Sequence, residues 1–362
     1  MSKGDTINLY VSPLLTRGLA QLDLIMEIRE NIPLAGFTTL GVGGPARYFV
    51  DARAEADVID AFAWARENEL DVFVLGGGSN IVVSDAGIGG LVVKIGMTGV
   101  TFKDEGARVL VSAAAGEDWD GLVAACVGRG LGGFECLSGI PGTVGGTPVQ
   151  NVGAYGQEVS ETIVSVRCFD RSFAEVVELS NAECGFEYRK SIFNTTERGR
   201  FVVMSVSYLL EKEKAPKIDY KDLKEKFVDR NPTLAEVRES VLRIRRSKSM
   251  VIDEADPNSR SAGSFFKNPV LDVSAAGPLN SPRFPAGEGL VKIPAAWLIE
   301  QAGFQKGFAL GNAGISGNHS LAIVNRGGST AAEIVALKDL IRKGVFEKFG
   351  IELETEPVFV GF

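Results

Sequence analysis

The sequence predicts an α+β protein in three parts. Three observations carry this. Residues 38–95 alternate between apolar strand patterns and one helix-spaced stretch. Residues 96–210 carry strand patterns around a long, almost uncharged glycine-rich loop. Beyond Leu210 the composition shifts to the charged, proline-bearing run "EKEKAPKIDYKDLKEKF", and helical patterns follow. A chain of 362 residues suits two to three domains at roughly 150 residues each.

The elements are justified in order. "ARYFVDA", "DVFVLGGGSNIVVSD" and "GLVVKI" are rich in β-branched and aromatic residues and predict strands. "EADVIDAFAWAREN" has apolar residues at helical spacing and predicts a helix. The second part has strands at "RVLVSAAAG", "IVSVRCFD" and "RFVVMSVSYLL", and a helix at "WDGLVAACVGRGL". The third has helices at "TLAEVRESVLRIRRSK", "AAWLIEQAG" and "TAAEIVALKDLIRKGVFEKFG", then a short terminal strand in "IELETEPVFVGF".

Composition excludes several function classes. A net charge of −8 argues against a general nucleic-acid binder, whose footprint is a basic face. Cys126, Cys136, Cys168 and Cys184 form no CxxC pair, and His319 is the only histidine, so no metal site is expected. Dispersed cysteines suit reduced, buried thiols in a cytoplasm. "MSKGDTINLYVSPLLTRG" lacks the apolar run of a signal sequence, and no stretch reaches the roughly 18 apolar residues of a membrane span. A cytoplasmic monomer is expected.

Three glycine clusters point to a ligand. "VLGGGSN" follows a strand, and glycine lets backbone amides approach a phosphate closely. It is neither GxGxxG before a helix nor a P-loop, since β-branched "IVVSD" follows. The bland reading is a strand–turn–strand hairpin. "LSGIPGTVGGTPVQNVGAYGQE" has six glycines and almost no charge, and "TTLGVGGPA" has the same character. Together they suggest a long ligand with a pyrophosphate, such as a flavin dinucleotide.

Two further stretches call for a reason. "RSAGSFFKNP" sets the hydroxyl of Ser264 among small and aromatic residues, with Lys267 and Asn268 about one helical turn on. A buried hydroxyl without a partner costs about 1–3 kcal/mol, so either the backbone satisfies it or it reacts. "RIRRSK" carries Arg243, Arg245, Arg246 and Lys248. It reads as a solvated helix face, although Lys248 stands where it could hold a diphosphate as a point charge. The histidine in "SGNHSLAIVN" reads as structural.

In order, "TTLGVGGPA", "VLGGGSN", "GIPGTVGG" with "NVGAYGQE", "EYRKSIF", "SAGSFFKNP", "AAWLIEQAG" and "LETEPVFVG" resemble the UDP-N-acetylenolpyruvoylglucosamine reductases, the MurB flavoenzymes of peptidoglycan synthesis. The resemblance runs from about Asn31 to Gly361. It implies an FAD-binding fold of the vanillyl-alcohol-oxidase type in two subdomains, residues 20–98 with the strand 355–362 and residues 99–215. It adds an α+β substrate-binding domain, residues 216–354. It also implies an NADPH-dependent oxidoreductase that reduces the enolpyruvyl ether of UDP-N-acetylglucosamine to a lactyl ether. The partners it implies are FAD, NADPH and a UDP-sugar, and no nucleic acid, membrane or metal is expected.

Residue by residue, the resemblance makes Ser264 the proton donor and Arg189 and Glu356 its catalytic companions. Arg189 would meet the substrate carboxylate, and a neutral Glu356 would assist as charge develops on the α-carbon. The cofactor contacts fall on Leu75, Gly76, Gly77, Gly78, Ser79 and Asn80. They continue on Ser138, Gly139, Pro141, Gly142, Gly145, Gly153, Ala154, Tyr155 and Gly156. The substrate contacts fall on Tyr188, Tyr220, Lys248, Asn268 and Gln301. "KIDYKDL" matches the family type whose tyrosine loop clamps the substrate, and that tyrosine is Tyr220. Lys190 stands where an acid is typical, and Pro357 replaces the usual residue after the glutamate. Competing readings are a small-alcohol oxidase of the same fold, a non-catalytic nucleotide-sugar binder, and a serine hydrolase, which lacks GxSxG.

Overall fold

The computed structural model describes residues 7–10, 26–276 and 279–362. The reading of the N-terminal stretch as free of a signal sequence lies, apart from residues 7–10, outside the described residues, as do residues 20–25 of the first predicted part. Two compact units emerge. Of the described residues, the first holds those up to Ile32, Ala46–Gly77 and Gly89–Arg245; the second holds Pro33–Pro45, Gly78–Ile88 and those from Arg246 to Phe362.

The first unit is built on two sheets. One has the strand order Ile7–Tyr10, Met26–Pro33, Pro45–Ala52, Ile88–Ile95, Val72–Leu75. Its last pair is parallel, with Val72 opposite Leu91. Helix α1 (Glu55–Glu67) starts where Asp57 accepts hydrogen bonds from the N–H groups of Arg53 and Ala54, which would otherwise be orphaned at a helix N-terminus. The other sheet is antiparallel, in the order Glu175–Ser180, Ile163–Asp170, Phe201–Lys212, Arg108–Ala114, Val100–Glu105, and Leu131–Gly132 also pairs with Phe201–Lys212. Burial alternates along Phe201–Lys212 from Met204 to Leu210, as a period of two requires when one face meets the core.

Helix α2 (Trp119–Gly128) is capped by Asp118, whose carboxylate accepts from Gly121 N. Trp119, Phe134 and Tyr208 pack as a buried aromatic cluster, with ring centroids 5.2–5.9 Å apart. Trp119 Nε1 donates to Leu137 O at 3.1 Å, and Tyr208 Oη meets Thr147 Oγ1 at 2.9 Å. The glycine-rich loop beginning at Ser138 is thereby pinned near its start and at its middle by a rigid core. The charged segment beyond Leu210 folds into α3 (Lys221–Lys226) and α4 (Leu234–Ser247), and buries Leu223, Phe227, Val237 and Val241 against Cys136.

In the second unit, α5 (Val273–Ala276), α6 (Ala295–Gln301) and α7 (Ala331–Phe349) accompany small sheets. Thr330 and Glu333 form the capping box of α7, and Gly350 ends it at φ +67°, a conformation that suits glycine. One apolar core joins Phe265, Phe266, Leu298, Ile315, Ile334 and Leu353. Ile81–Val83 and Val358–Val360 form a parallel pair.

Four sequence expectations need correction. "VLGGGSN" is not a hairpin turn, because the strands on either side of it join different sheets through parallel pairs. The terminal strand is only Val358–Val360, since Pro357 cannot donate to a ladder. No helix spans Ser264 to Asn268: the stretch is not helical, and bridges pair Ser261 with Val324 and Phe266 with Thr355. Nor is Ser264 fully buried; it is half-buried. All four cysteines are free and buried, and burial pushes the thiols of Cys126 and Cys184 up to about 12.

Candidate active site

The first unit brings two predicted loops together. A Cβ on Gly77 would fall 2.6 Å from Gly142 Cα and 2.9 Å from Thr143 N, so only glycine permits this backbone-to-backbone approach. A Cβ on Gly76 would meet only the Thr143 hydroxyl, at 3.3 Å. Thr143 Oγ1 is itself buried without a hydrogen-bond partner. A donor left unsatisfied between side-chain-free loops is a feature to be explained by what the loops hold. A buried hydroxyl beside closely approaching glycine backbone fits the oxygens of a pyrophosphate. Thr143 was missed in the sequence because nothing separates it there from other loop threonines.

The same loop is anchored from below. Gly139 N donates to Asp120 Oδ1 at 2.6 Å, and Gly139 O accepts from Arg245 Nε at 3.0 Å. Arg238 closes a bidentate pair with Asp120 at 2.6 and 2.8 Å. Burial opposes the Asp120 charge, but Arg238, the Gly139 amide and Arg245 outweigh it and hold the carboxyl below its usual range. Arg245 is only 7% exposed, so the solvated basic face expected of "RIRRSK" is corrected at this position. It also hydrogen-bonds Tyr155, whose hydroxyl burial pushes up to about 12. Tyr155 in turn meets Tyr220 edge to face, with centroids 5.1 Å apart. Ser138 Oγ donates to Glu135 O at 2.6 Å and so serves the loop's own turn.

Arg189 sits at φ +58°, in the left-handed region, within a turn where Glu187 and Lys190 exchange backbone hydrogen bonds. Non-glycine residues adopt this conformation at a cost of order 1–3 kcal/mol. Tyr155 (φ +51°) and Asn151 (φ +44°) share it. Asn194 Nδ2 donates to Arg189 O, and Arg189 Nη2 donates to Gly153 O at 2.8 Å, tying the arginine to the glycine-rich loop. Its guanidinium lies 5.2 Å from the ring centre of the exposed Tyr188. Lys190 pairs with Glu187 on the surface at 3.6 Å.

The second unit carries Gly78, Ser79, Asn80, Lys248, Ser264, Asn268, Gln301 and Glu356. Ser264 lies on an extended segment fixed on both sides: Phe265 N donates to Leu321 O, and Glu356 N donates to Phe265 O. Its Oγ stands 3.4 Å from His319 Nε2, so the histidine read as structural reaches the serine. Lys267 and Asn268, expected beside Ser264, are engaged elsewhere. Lys267 pairs with Glu354 at 3.3 Å, and Asn268 Oδ1 accepts from Ala295 N at the start of α6. An extended chain turns successive side chains to opposite faces, so helical proximity does not apply. Glu354 is exposed and Glu356 half-buried, while Asn80 Nδ2 donates to Glu356 O. Lys248 is half-buried just beyond α4, and Gln301 is exposed at the end of α6.

Comparison with known proteins bears on these halves. Residues 256–360 match the family described as the UDP-N-acetylenolpyruvoylglucosamine reductase C-terminal domain, and residues 46–180 match an FAD binding domain. A UDP-N-acetylenolpyruvoylglucosamine reductase of Thermobifida fusca is 46% identical over 92% of this chain and 98% of its own. One from Streptomyces coelicolor is 45% identical over 94% and 92%. The crystal structure of the corresponding reductase (MurB) from Thermus caldophilus superposes with a TM-score of 0.66 at 27% identity, covering 92% of this chain and 99% of its own. No helix among the described residues is long and apolar enough to cross a membrane.

Proposed function

Since this chain belongs to the UDP-N-acetylenolpyruvoylglucosamine reductase family, we propose that it reduces the enolpyruvyl ether of UDP-N-acetylglucosamine to the lactyl ether of UDP-N-acetylmuramate, at the expense of NADPH, in peptidoglycan precursor synthesis. The observation that carries this reading is the backbone-to-backbone contact at Gly77 and Gly142 beside the unsatisfied Thr143 hydroxyl. Leu75–Asn80 and the 138–156 loop are the residues that would hold FAD, which would supply the hydride when bound.

The chain's own residues do the rest. Arg189 binds the substrate carboxylate bidentately, a charge-assisted contact about twice as strong as a neutral one. Its unusual backbone angle and its tie to Gly153 O support a fixed orientation. Ser264 gives its hydroxyl proton to the α-carbon as negative charge develops there. Glu356, acting as the neutral carboxyl, stabilises that charge from a half-buried position, while the exposed Glu354 is spent on Lys267. Tyr220, edge to face with Tyr155, closes over the nucleotide. Lys248 holds the diphosphate, and Tyr188, Asn268 and Gln301 line the substrate.

Residues 20–98 with 355–362 and residues 99–215 serve FAD in this reading, and residues 216–354 serve the substrate. Four free, buried thiols support a reducing compartment, and we place the enzyme in the cytoplasm as a monomer.

The test is spectroscopic. The purified protein should be yellow and bleach with NADPH under anaerobic conditions. Its colour should return on adding the enolpyruvyl nucleotide, with UDP-N-acetylmuramate as product. A protein that bleaches but is not reoxidised by that nucleotide would be a flavoenzyme for another substrate.

A further inference from the structure

We propose that His319 positions Ser264 for proton donation by donating its own Nε2–H to the serine Oγ. The serine O–H is then left for the substrate carbon. This rests on the role given to Ser264 above.

The pair is built by backbone register. Phe265 N donates to Leu321 O at 2.8 Å, which sets the 264–265 segment beside the loop carrying His319. That loop is held at several points. Ala322 N donates to His319 O at 3.1 Å, Asn318 Nδ2 to Ser249 Oγ at 2.8 Å, and Gly317 N to Asn258 Oδ1 at 3.0 Å. Ser320 Oγ donates to Glu300. The imidazole is half-buried, and its Nε2 lies 3.4 Å from Ser264 Oγ. A contact of this length is at the long end for a hydrogen bond, as catalytic hydrogen bonds often are before substrate binds.

A serine hydroxyl has one hydrogen, so the tautomer decides its chemistry. If Nε2 is bare, the serine spends its hydrogen on the ring, as a nucleophile would. If Nε2 bears hydrogen, Oγ accepts and its own O–H is free. In the donating step the electron pair of the α-carbanion forms a C–H bond with the serine proton. The O–H pair stays on Oγ, and a proton from water later restores the hydroxyl. Between these events Oγ is negative, and an Nε2–H already aimed at it stabilises the charge without rearrangement.

His319 is the only histidine, so its ring nitrogens can be read without assignment ambiguity in the holoenzyme labelled with 15N-histidine. The expected spectrum shows a proton-bearing Nε2; a bare Nε2 overturns the proposal. Stopped-flow absorbance gives the second readout. In His319→Ala, flavin reduction by NADPH should be retained, and this also checks folding. Reoxidation by the enolpyruvyl nucleotide should slow on the order of 10- to 100-fold with little change in KM. His319→Gln, which keeps an N–H donor, should recover most of the rate. Unchanged reoxidation in His319→Ala, equal slowing of both half-reactions, or a glutamine variant as slow as the alanine one overturns it. Ser264→Ala separates the two claims. If that variant reoxidises at the wild-type rate, the role given to Ser264 itself fails. If it is slow and His319→Ala is not, only the present inference falls.

Discussion

Arg245 Nε donates to the carbonyl of Gly139 at 3.0 Å from a side chain that is only 7% exposed. One residue of a helix rich in arginine thus holds the loop proposed to carry flavin contacts, and through Tyr155 it also reaches the tyrosine proposed as the substrate clamp. A buried guanidinium is tolerated because its donors are engaged; burial nevertheless lowers its affinity for the proton.

Arg245→Met should therefore destabilise the protein by about 1–3 kcal/mol, because Gly139 O and the Tyr155 hydroxyl lose a buried partner. It should also release FAD more readily. Thermal unfolding and flavin absorbance after gel filtration measure both. Arg246, exposed on the same helix, is the control, and its alanine variant should stay within about 0.5 kcal/mol of wild type.

Asp120 gives a pH dependence whose sign follows from its depressed pKa. The unfolded carboxyl titrates near about 3.9. Stabilisation by the charged form is therefore complete above that value and is lost as pH falls through the lower folded value. Asp120→Asn should be less stable than wild type at pH 7, and the gap should close as the pH drops below about 4. Melting temperatures between pH 3 and 7 would show it; a gap that stays constant contradicts the assignment.

Gly77→Ala should lose FAD and cost about 1–3 kcal/mol, because the new methyl meets backbone atoms that cannot rotate away. Gly76→Ala, which meets only a hydroxyl at 3.3 Å, should be far milder. Flavin content per protein, measured after denaturation, compares them. Equal retention in both variants would mean that the loops can separate freely.

Glu356→Gln and Glu354→Gln distinguish the two glutamates of "LETEPV". The first should slow reoxidation of the reduced enzyme by its substrate at least tenfold without altering reduction by NADPH. The second should change little, since the Lys267 pair is exposed and such pairs contribute about 0–1 kcal/mol. The opposite order would transfer the role to Glu354.

The sequence by itself determined the elements and the ligand class. The strands of "ARYFVDA" and "RFVVMSVSYLL" and the helices α1, α2, α4, α6 and α7 follow from local periodicity, which depends only on neighbours along the chain. The uncharged glycine loops pointed to a pyrophosphate for the same local reason. Tertiary structure alone decided which loops meet and which side chains are enclosed. Nothing near Gly77 in sequence indicates that its partner is Gly142, and nothing in "RIRRSK" distinguishes buried Arg245 from exposed Arg246. The apolar setting of Ser264 marks it in the sequence, but its spatial neighbours are not the ones helical spacing suggests. An extended backbone sends Lys267 to Glu354 and Asn268 to α6, while His319, 55 positions away, arrives through sheet-like pairing. Contacts of that kind depend on register between distant segments, which is fixed only when the core of each unit closes.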